Sequence, residues 1–463
     1  MCRGKGTSSR GSLIARSLLL MCALCLLSVA FPSSPARAGG GPAAERSTLP
    51  NGARLIVSEQ RALPLVVVEV LIDAGARRDP QGKEGLAALT ADLLSEATKT
   101  RSASQISEAT DLIGASLGTS ADTDFAVLSL TVLSKDLDTG LDLLTDVLLH
   151  PTFPEAEIAR RREAALAAMK AQEDNPGNVA DRAFLKALFR NSPYGHPVIG
   201  TPDGVRRVTR KDLVDFYAAH YRPEGTIITV AGDVSATDIA SRLRTALQGW
   251  ASGGNAPFVY PPTEFGHAET VTIDKPITQA NIILGQLGIA RDNPDYYAIT
   301  VMNFILGGGG FTSRLLNNIR TKGGLAYSVG SMFSVNKSPG AFEIVMQTKN
   351  ASADDAIQRA CAEIAQIRSQ PVEDDELAGA KLYLTGSFPM RFDTTAKIAA
   401  FLSQVEFYNL GRDYADTYAE RVNAVTKDDV RRVAQQYLHP NELLLVAVAT
   451  LDQAKIPTTA PCP

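Results

Sequence analysis

Short apolar runs rich in β-branched residues alternate along this chain with longer segments of mixed polarity. Leu55-Ile56-Val57, Leu65 to Ile72 and Phe125 to Val132 read as strands. The run that opens after Glu84, Gly85-Leu86-Ala87-Ala88-Leu89-Thr90-Ala91-Asp92-Leu93-Leu94, and the segment Ser104 to Ile113 read as helices. One unit then occurs twice. Thr209 opens a helix that stops at Pro223, and Thr226 to Gly232 follows as a buried strand. Thr426 opens a second helix that stops at Pro440, and Leu443 to Val448 follows as its strand. Each helix has Thr as N-cap and Pro as stop at equal spacing. The second half also runs from a strand (Ala280 to Leu287) to a helix (Tyr296 to Leu306), then strand, helix and helix. The pattern predicts two α/β domains of about 200 residues each, both with sheets packed against helices.

Between the halves, Ala251-Ser252-Gly253-Gly254-Asn255-Ala256-Pro257 and Pro261-Pro262 read as a linker. The first 38 residues read as an export signal. Arg3, Lys5, Arg10 and Arg16 precede an apolar core from Ser17 to Phe31 that is short for a membrane span. Ala36-Arg37-Ala38 is a small-x-small cleavage pattern, so no membrane anchor is expected after cleavage. Loss of this basic segment takes the formal charge from -4 to -9. A chain that acidic, without a basic run, disfavours nucleic acid and anionic membrane as partners. Of five cysteines, Cys361 and Cys462 remain, and the sequence leaves open whether they pair.

The densest candidate chemistry is Gly307-Gly308-Gly309-Gly310-Phe311-Thr312-Ser313-Arg314 and its continuation to Tyr327. Four glycines permit positive φ and close backbone approach, and Thr312 or Ser313 is placed to cap a short helix. Arg320 falls at the end of that helix, Gly323-Gly324 turns the chain and Tyr327 begins a strand. No Lys-Ser/Thr follows Gly310, so the run is not a phosphate loop and reads as a flexible one. His150, His196, His220, His267 and His439 are scattered, with no pair at helical metal spacing. His196, in a Tyr-Gly-His-Pro loop, reads as structural.

Several motifs in order carry a resemblance that covers almost the whole chain beyond the leader. They are Leu49-Pro50-Asn51-Gly52, the helix after Glu84, Phe153-Pro154, Asp174-Asn175-Pro176, Pro193-Tyr194-Gly195-His196-Pro197 and Gly323-Gly324-Leu325-Ala326-Tyr327. The chain resembles the pitrilysin and mitochondrial-processing-peptidase (insulinase-like) family. Active members carry an inverted zincin motif, His-x-x-Glu-His, in the helix after Glu84. Here Ala88, Ala91 and Asp92 stand at its three positions, and Ala168 stands where the third ligand, a Glu, is expected. The resemblance implies two homologous domains, each a mainly antiparallel sheet packed against helices, forming half of a clam-shell. It divides the chain into a signal (1–38), an N-terminal peptidase-like domain (39–250) with a degenerate zinc site, a linker (251–267), a C-terminal peptidase-like domain (268–455) and a tail (456–463).

Arg320 and Tyr327 match the family's Arg/Tyr pair in spacing and context, and that pair holds substrate backbone in active members. The resemblance therefore implies a non-catalytic subunit of a heterodimeric zinc metallopeptidase, exported to the bacterial periplasm. It would bind peptide or unfolded protein through Arg320, Tyr327 and the Gly307, Gly308, Gly309 and Gly310 loop. It would bind no metal itself, and a homologous catalytic subunit with an intact His-x-x-Glu-His would supply the zinc. The alternative is a structural or peptide-binding pseudopeptidase without any role in proteolysis.

Overall fold

The computed structural model describes Met1 and residues 40–190, 192–254, 256–260, 268–458 and 461–462. The expected signal, Met1 apart, lies outside the described residues, as do His267 and the last part of the expected linker.

Eleven strands among the described residues form two sheets. The first contains β1 (Glu45–Thr48), β2 (Arg54–Glu59), β3 (Leu65–Ile72), β4 (Ser116–Ala121), β5 (Ala126–Leu133) and β6 (Ile227–Gly232), in the order β1-β2-β6-β3-β5-β4. The second contains β7 (Thr270–Asp274), β8 (Gln279–Leu287), β9 (Ala326–Val335), β10 (Pro339–Lys349) and β11 (Leu444–Ala449), in the order β7-β11-β8-β10-β9. With β1 set aside, the two orders match strand for strand. The one parallel pair of each sheet, β2/β6 and β7/β11, occupies the same place, and all other pairs are antiparallel. The chain is thus a duplicated, mixed α/β fold of mainly antiparallel sheets packed against helices.

The repeated helices carry the expected caps. Thr209 and Asp212 form a reciprocal capping box at the start of Arg210–His220, and Thr426 and Asp429 form the same box at the start of Lys427–Tyr437. Each box satisfies two backbone donors that the helix itself leaves free.

Strand β3 is buried along both faces, which its near-continuous apolar sequence requires. One face meets the helices of its own half. The other meets α12 (Thr395–Phe407), contributed by the second half, whose Ile398, Ala399, Leu402 and Phe407 pack on Ile56, Val67, Leu71 and Ile227. The exchange is reciprocal. Helix α5 (Pro176–Phe189), from the first half, packs Ala180, Phe184 and Leu188 on Ile283, Leu444 and Val446 of the second sheet. Gly285 makes room for this contact, since a Cβ there would lie 2.3 Å from the Phe184 ring. In these labels α1 is Leu86–Leu93, α2 Ala103–Leu112, α3 Leu137–Leu149, α4 Glu155–Glu173, α6 Pro202–Arg207, α7 Arg210–His220 and α8 Ala236–Ala246; α9 is Tyr296–Asn303, α10 Ala353–Ser369 and α11 Asp374–Ser387.

Two expectations change. The glycine run is not a plain loop: α9 passes into a π-helical turn at Phe304–Gly308 and a 3-10 turn at Gly310–Thr312. Neither Thr312 nor Ser313 caps the next helical segment, because their hydroxyls donate back to the carbonyls of Gly309 (2.9 Å) and Gly310 (2.7 Å). Part of the linker is docked: the Tyr260 hydroxyl accepts a 2.6 Å hydrogen bond from Arg77, whose guanidinium also lies 4.8 Å from the Phe258 ring. The cysteine question is resolved as well, since Cys361 and Cys462 form a disulfide that ties the end of the chain to α10. No described helix is long and apolar enough to cross a membrane.

Candidate functional site

Helix α1 carries the positions of the zinc motif. Gly85 enters it at φ +104°, and a Cβ there would press on the Ile199 carbonyl at 2.7 Å. Asp79 caps the helix from outside, accepting from the backbone N–H of Gly85 (2.6 Å) and Ala87 (2.7 Å). Burial pushes the Asp79 carboxyl up to about 7, against the pull of those two donors. The helix is therefore tightly packed and capped at its start, but the side chains at its motif positions lack the chemistry.

Ala91 is fully buried, Ala88 is half-buried and Ala168, on α4, is exposed. None of the three has a lone pair to offer a metal. Asp92 is half-buried, and its carboxyl is raised by burial against the pull of Arg161, with Glu96 adding to the rise. Glu96 is buried and ion-paired with both Arg160 and Arg161. Burial alone would raise Glu96, but the two guanidiniums hold it below the usual carboxylate range. Zinc chemistry of this kind needs three protein ligands and an open position for water. Here Asp92 is the one potential ligand at the motif positions, and the nearby Glu96 is taken up by Arg160 and Arg161, so the residues present do not fit the metal. Among the described residues no group of three His, Cys, Asp or Glu side chains is arranged to hold a metal ion. His196 hydrogen-bonds the Pro197 carbonyl at 3.0 Å, and burial lowers its pKa.

The second half is organised differently. The glycines of the run are set by packing. A Cβ on Gly307 would lie 2.4 Å from the Ser331 hydroxyl and 2.5 Å from its backbone nitrogen. On Gly308 it would meet the Asn303 amide at 2.8 Å, and on Gly309 the Phe304 carbonyl at 2.7 Å. Gly310 has φ +57°. Paired hydrogen bonds between Asn303 and Ser331 fasten this turn to β9, and Arg314 fastens the following segment to Glu376 on α11. Gly307 is buried and Gly308 and Gly310 are exposed, so the run shapes the backbone from which the next residues project.

Those residues are Arg320 and Tyr327. Arg320 closes the π-helical turn Leu316–Thr321, and its guanidinium lies 5.3 Å from the Phe311 ring and 5.8 Å from the Tyr327 ring. Among the described residues no carboxylate pairs with it. Tyr327 is 68% exposed on β9, the open edge of the second sheet. The register explains its direction: Ala326 faces Thr348 and Ser328 faces Gln347, so Tyr327 is the extra residue of a bulge. A bulge turns a side chain out of the ladder. The result is a half-buried cation flanked by two exposed aromatic rings, one of them the Tyr327 phenol. A guanidinium so placed can donate to carbonyl or carboxylate oxygen, and the phenol can donate to a developing oxyanion. What the group offers is hydrogen-bond donation, which suits holding and orienting a backbone.

Sequence reasoning missed Phe311, which is 74% exposed and forms one wall of this group. A large apolar residue directly after four glycines was the available signal. The structure brings Arg320, Tyr327 and the glycine run together, and places the zinc-motif positions on the other half.

Comparison with known proteins gives this pattern a frame. Residues 55–202 match the family model "Insulinase (Peptidase family M16)", and residues 207–384 match "Peptidase M16 inactive domain". An uncharacterized zinc protease of Streptomyces coelicolor is 28% identical over 399 residues, covering 85% of this chain and 87% of that protein. The uncharacterized zinc protease YmxG of Bacillus subtilis is 26% identical, covering 85% of this chain and 95% of that protein. The crystal structure of a peptidase M16 inactive domain from Pseudomonas fluorescens superposes with a TM-score of 0.84 at 28% identity, covering 90% of this chain and 99% of that one. A protease from Helicobacter pylori, at 20% identity and TM-score 0.81, shares the fold. With family models matched over more than half of its length, and with Ala88, Ala91, Asp92 and Ala168 at the ligand and base positions, the chain belongs to the insulinase-like peptidase family M16 as a non-catalytic member.

Proposed function

We propose that this chain is the non-catalytic subunit of a two-chain zinc peptidase. It would form one wall of the peptide chamber and hold substrate backbone through Arg320 and Tyr327. A homologous partner with an intact His-x-x-Glu-His would bring zinc and the base that activates water. The observation that carries this reading is the contrast between the halves. The zinc helix carries no imidazole and no base, while the half-buried Arg320 and the exposed Tyr327 are held side by side by a bulge and a fitted glycine turn. A structure that had kept neither function would have no need to hold an unpaired cation between two exposed rings.

Export to the periplasm belongs to the same proposal. The Cys361–Cys462 disulfide supports it, because such bonds persist in oxidising compartments.

The test is co-expression with an exported homologue that carries the intact motif, followed by size-exclusion chromatography, metal analysis and cleavage of an unstructured peptide. The expected result is a stable pair with about one zinc per pair, activity in the pair and none in this chain alone. A partner that cleaves equally well without this chain would overturn the proposal and favour a peptide-binding or structural pseudopeptidase.

A further inference from the structure

A second feature lies away from both the zinc helix and Arg320. A cavity of about 530 Å³ opens where the two halves meet, lined by Asp122 and Phe125 from the first and by Arg291, Tyr296, Arg391, Tyr408 and Tyr414, among others, from the second. Its cations are unusually placed. The Arg291 guanidinium lies 3.8 Å from the centre of the Tyr296 ring and 5.3 Å from that of Tyr414, and it donates a 2.9 Å hydrogen bond to the Tyr414 hydroxyl. Arg391 lies 5.4 Å from the Phe388 ring and 5.6 Å from the Tyr418 ring, with the Tyr296 hydroxyl acting on it electrostatically. Phe388 and Tyr418 are themselves stacked, with centroids 3.8 Å apart. Both guanidiniums thus converge on Tyr296, held by aromatic neighbours on a packed floor.

Neither has a carboxylate within ion-pair distance among the described residues, whereas many other described arginines do. The third lining cation, Lys397, is already paired with Asp393 at 2.8 Å. Asp122 is the one lining carboxylate, and it faces two uncompensated guanidiniums. A concave site with net positive charge and low-dielectric walls concentrates anions. Ring contacts fix each guanidinium but consume few of its five N–H donors, leaving a fork suited to an oxyanion. The remaining wall of Phe125, Phe401 and Tyr408 is aromatic and suits an apolar body.

We propose that this inter-domain cavity binds an organic oxyanion, a carboxylate or phosphate carried on an apolar group, with Arg291 and Arg391 as its receptors. None of the lining residues belongs to the Arg320/Tyr327 group, so the proposal stands independently of the peptidase-subunit reading.

The test is calorimetric titration of the purified full chain with N-acetylphenylalanine, N-acetylphenylalaninamide, phenyl phosphate and inorganic phosphate. At least one of the two aromatic acids should bind, and the tighter one identifies the source as carboxylate or phosphate. The neutral amide should bind on the order of 10–100-fold more weakly than its acid, and so should the acid to Arg291→Gln or Arg391→Gln. Inorganic phosphate, which cannot use the rings, should bind more weakly than phenyl phosphate. Arg391 is solvent-exposed on one side, so its variant keeps the test valid if Arg291→Gln misfolds; circular dichroism and thermal melting check both. Absence of binding by both acids, equal binding of the amide, or unchanged binding to a folded Arg391→Gln would overturn the proposal.

Discussion

Tyr327 owes its position to one inserted residue in β9, and that makes its hydroxyl a clean target. The phenol has no described hydrogen-bond partner and is largely exposed, so Tyr327→Phe should leave folding and pairing unchanged. In the proposed pair, loss of the hydroxyl should lower turnover about 10²–10³-fold, the scale for one oxyanion donor. Arg320→Ala should also weaken peptide binding, because a charge-assisted contact is lost. Steady-state kinetics on the assembled pair, with assembly checked by chromatography, measure both. Normal turnover in both variants would mark the group as a relic. At this scale the sequence displayed the identities of the site residues but not their surroundings. Arg320 and Tyr327 could be named from spacing and context. The bulge could not, because it depends on the register of β9 against β10, and Phe311 was passed over because one exposed apolar side chain has no periodicity to announce it. The glycine run was read as flexible because glycine permits both a loop and a close contact. Only the positions of Ser331, Asn303 and Phe304 decide between them.

Among the elements, the exchanged helices α5 and α12 do most to join the halves, and sequence periodicity could not foresee them. An apolar stripe says that a helix is covered, not by which sheet. The caps of α7 and its counterpart in the second half were legible because Thr and Asp act within one turn. The Phe184 contact was not, because Gly285 is about a hundred residues away. Phe184→Ala should cost about 3–5 kcal/mol in urea unfolding, as expected for removing a fully buried ring. The same interface holds an acidic pair. Glu343 on β10 is pushed up to about 7, by burial first and by the charge of Asp181 on α5 second. Unfolded, this carboxyl titrates near 4.5. Between those values the folded state keeps a proton that the unfolded state releases, so stability falls as pH rises across this window and levels off above it. Asp181, also raised by burial, acts in the same direction. Glu343→Gln should flatten the slope and stabilise the protein at pH 8 by roughly 2–3 kcal/mol. Urea melts of both proteins at pH 5 and pH 8 check it, and equal slopes would show that the carboxylate is solvated.

For the whole molecule, duplication was visible in the repeated Thr-to-Pro helices and the strands after them, and the matched strand orders of the two sheets extend it across the fold. The disulfide was beyond sequence reasoning, because the approach of two cysteines depends on where the tail returns. The chain's end folds back so that Cys462 meets Cys361, buried on α10, across a separation of 101 residues. A closed loop of that length restricts the unfolded chain more than a short one would, and the entropic account gives about 4–5 kcal/mol. Cys361→Ala with Cys462→Ala, or reduction under native conditions, should lower stability by an amount approaching that figure, with the smaller apolar loss at Cys361 added. Near-neutral behaviour would show that the unfolded chain is already restricted or that the tail contributes little. Oxidised and reduced protein compared by urea unfolding, with thiol counting to confirm each state, distinguishes these outcomes. Because the bond joins the tail to a helix of the second half, the loss should appear as earlier unfolding of the whole two-sheet body. The exchanged helices cover one face of each sheet with residues of the other half, so detachment of the tail alone is not expected.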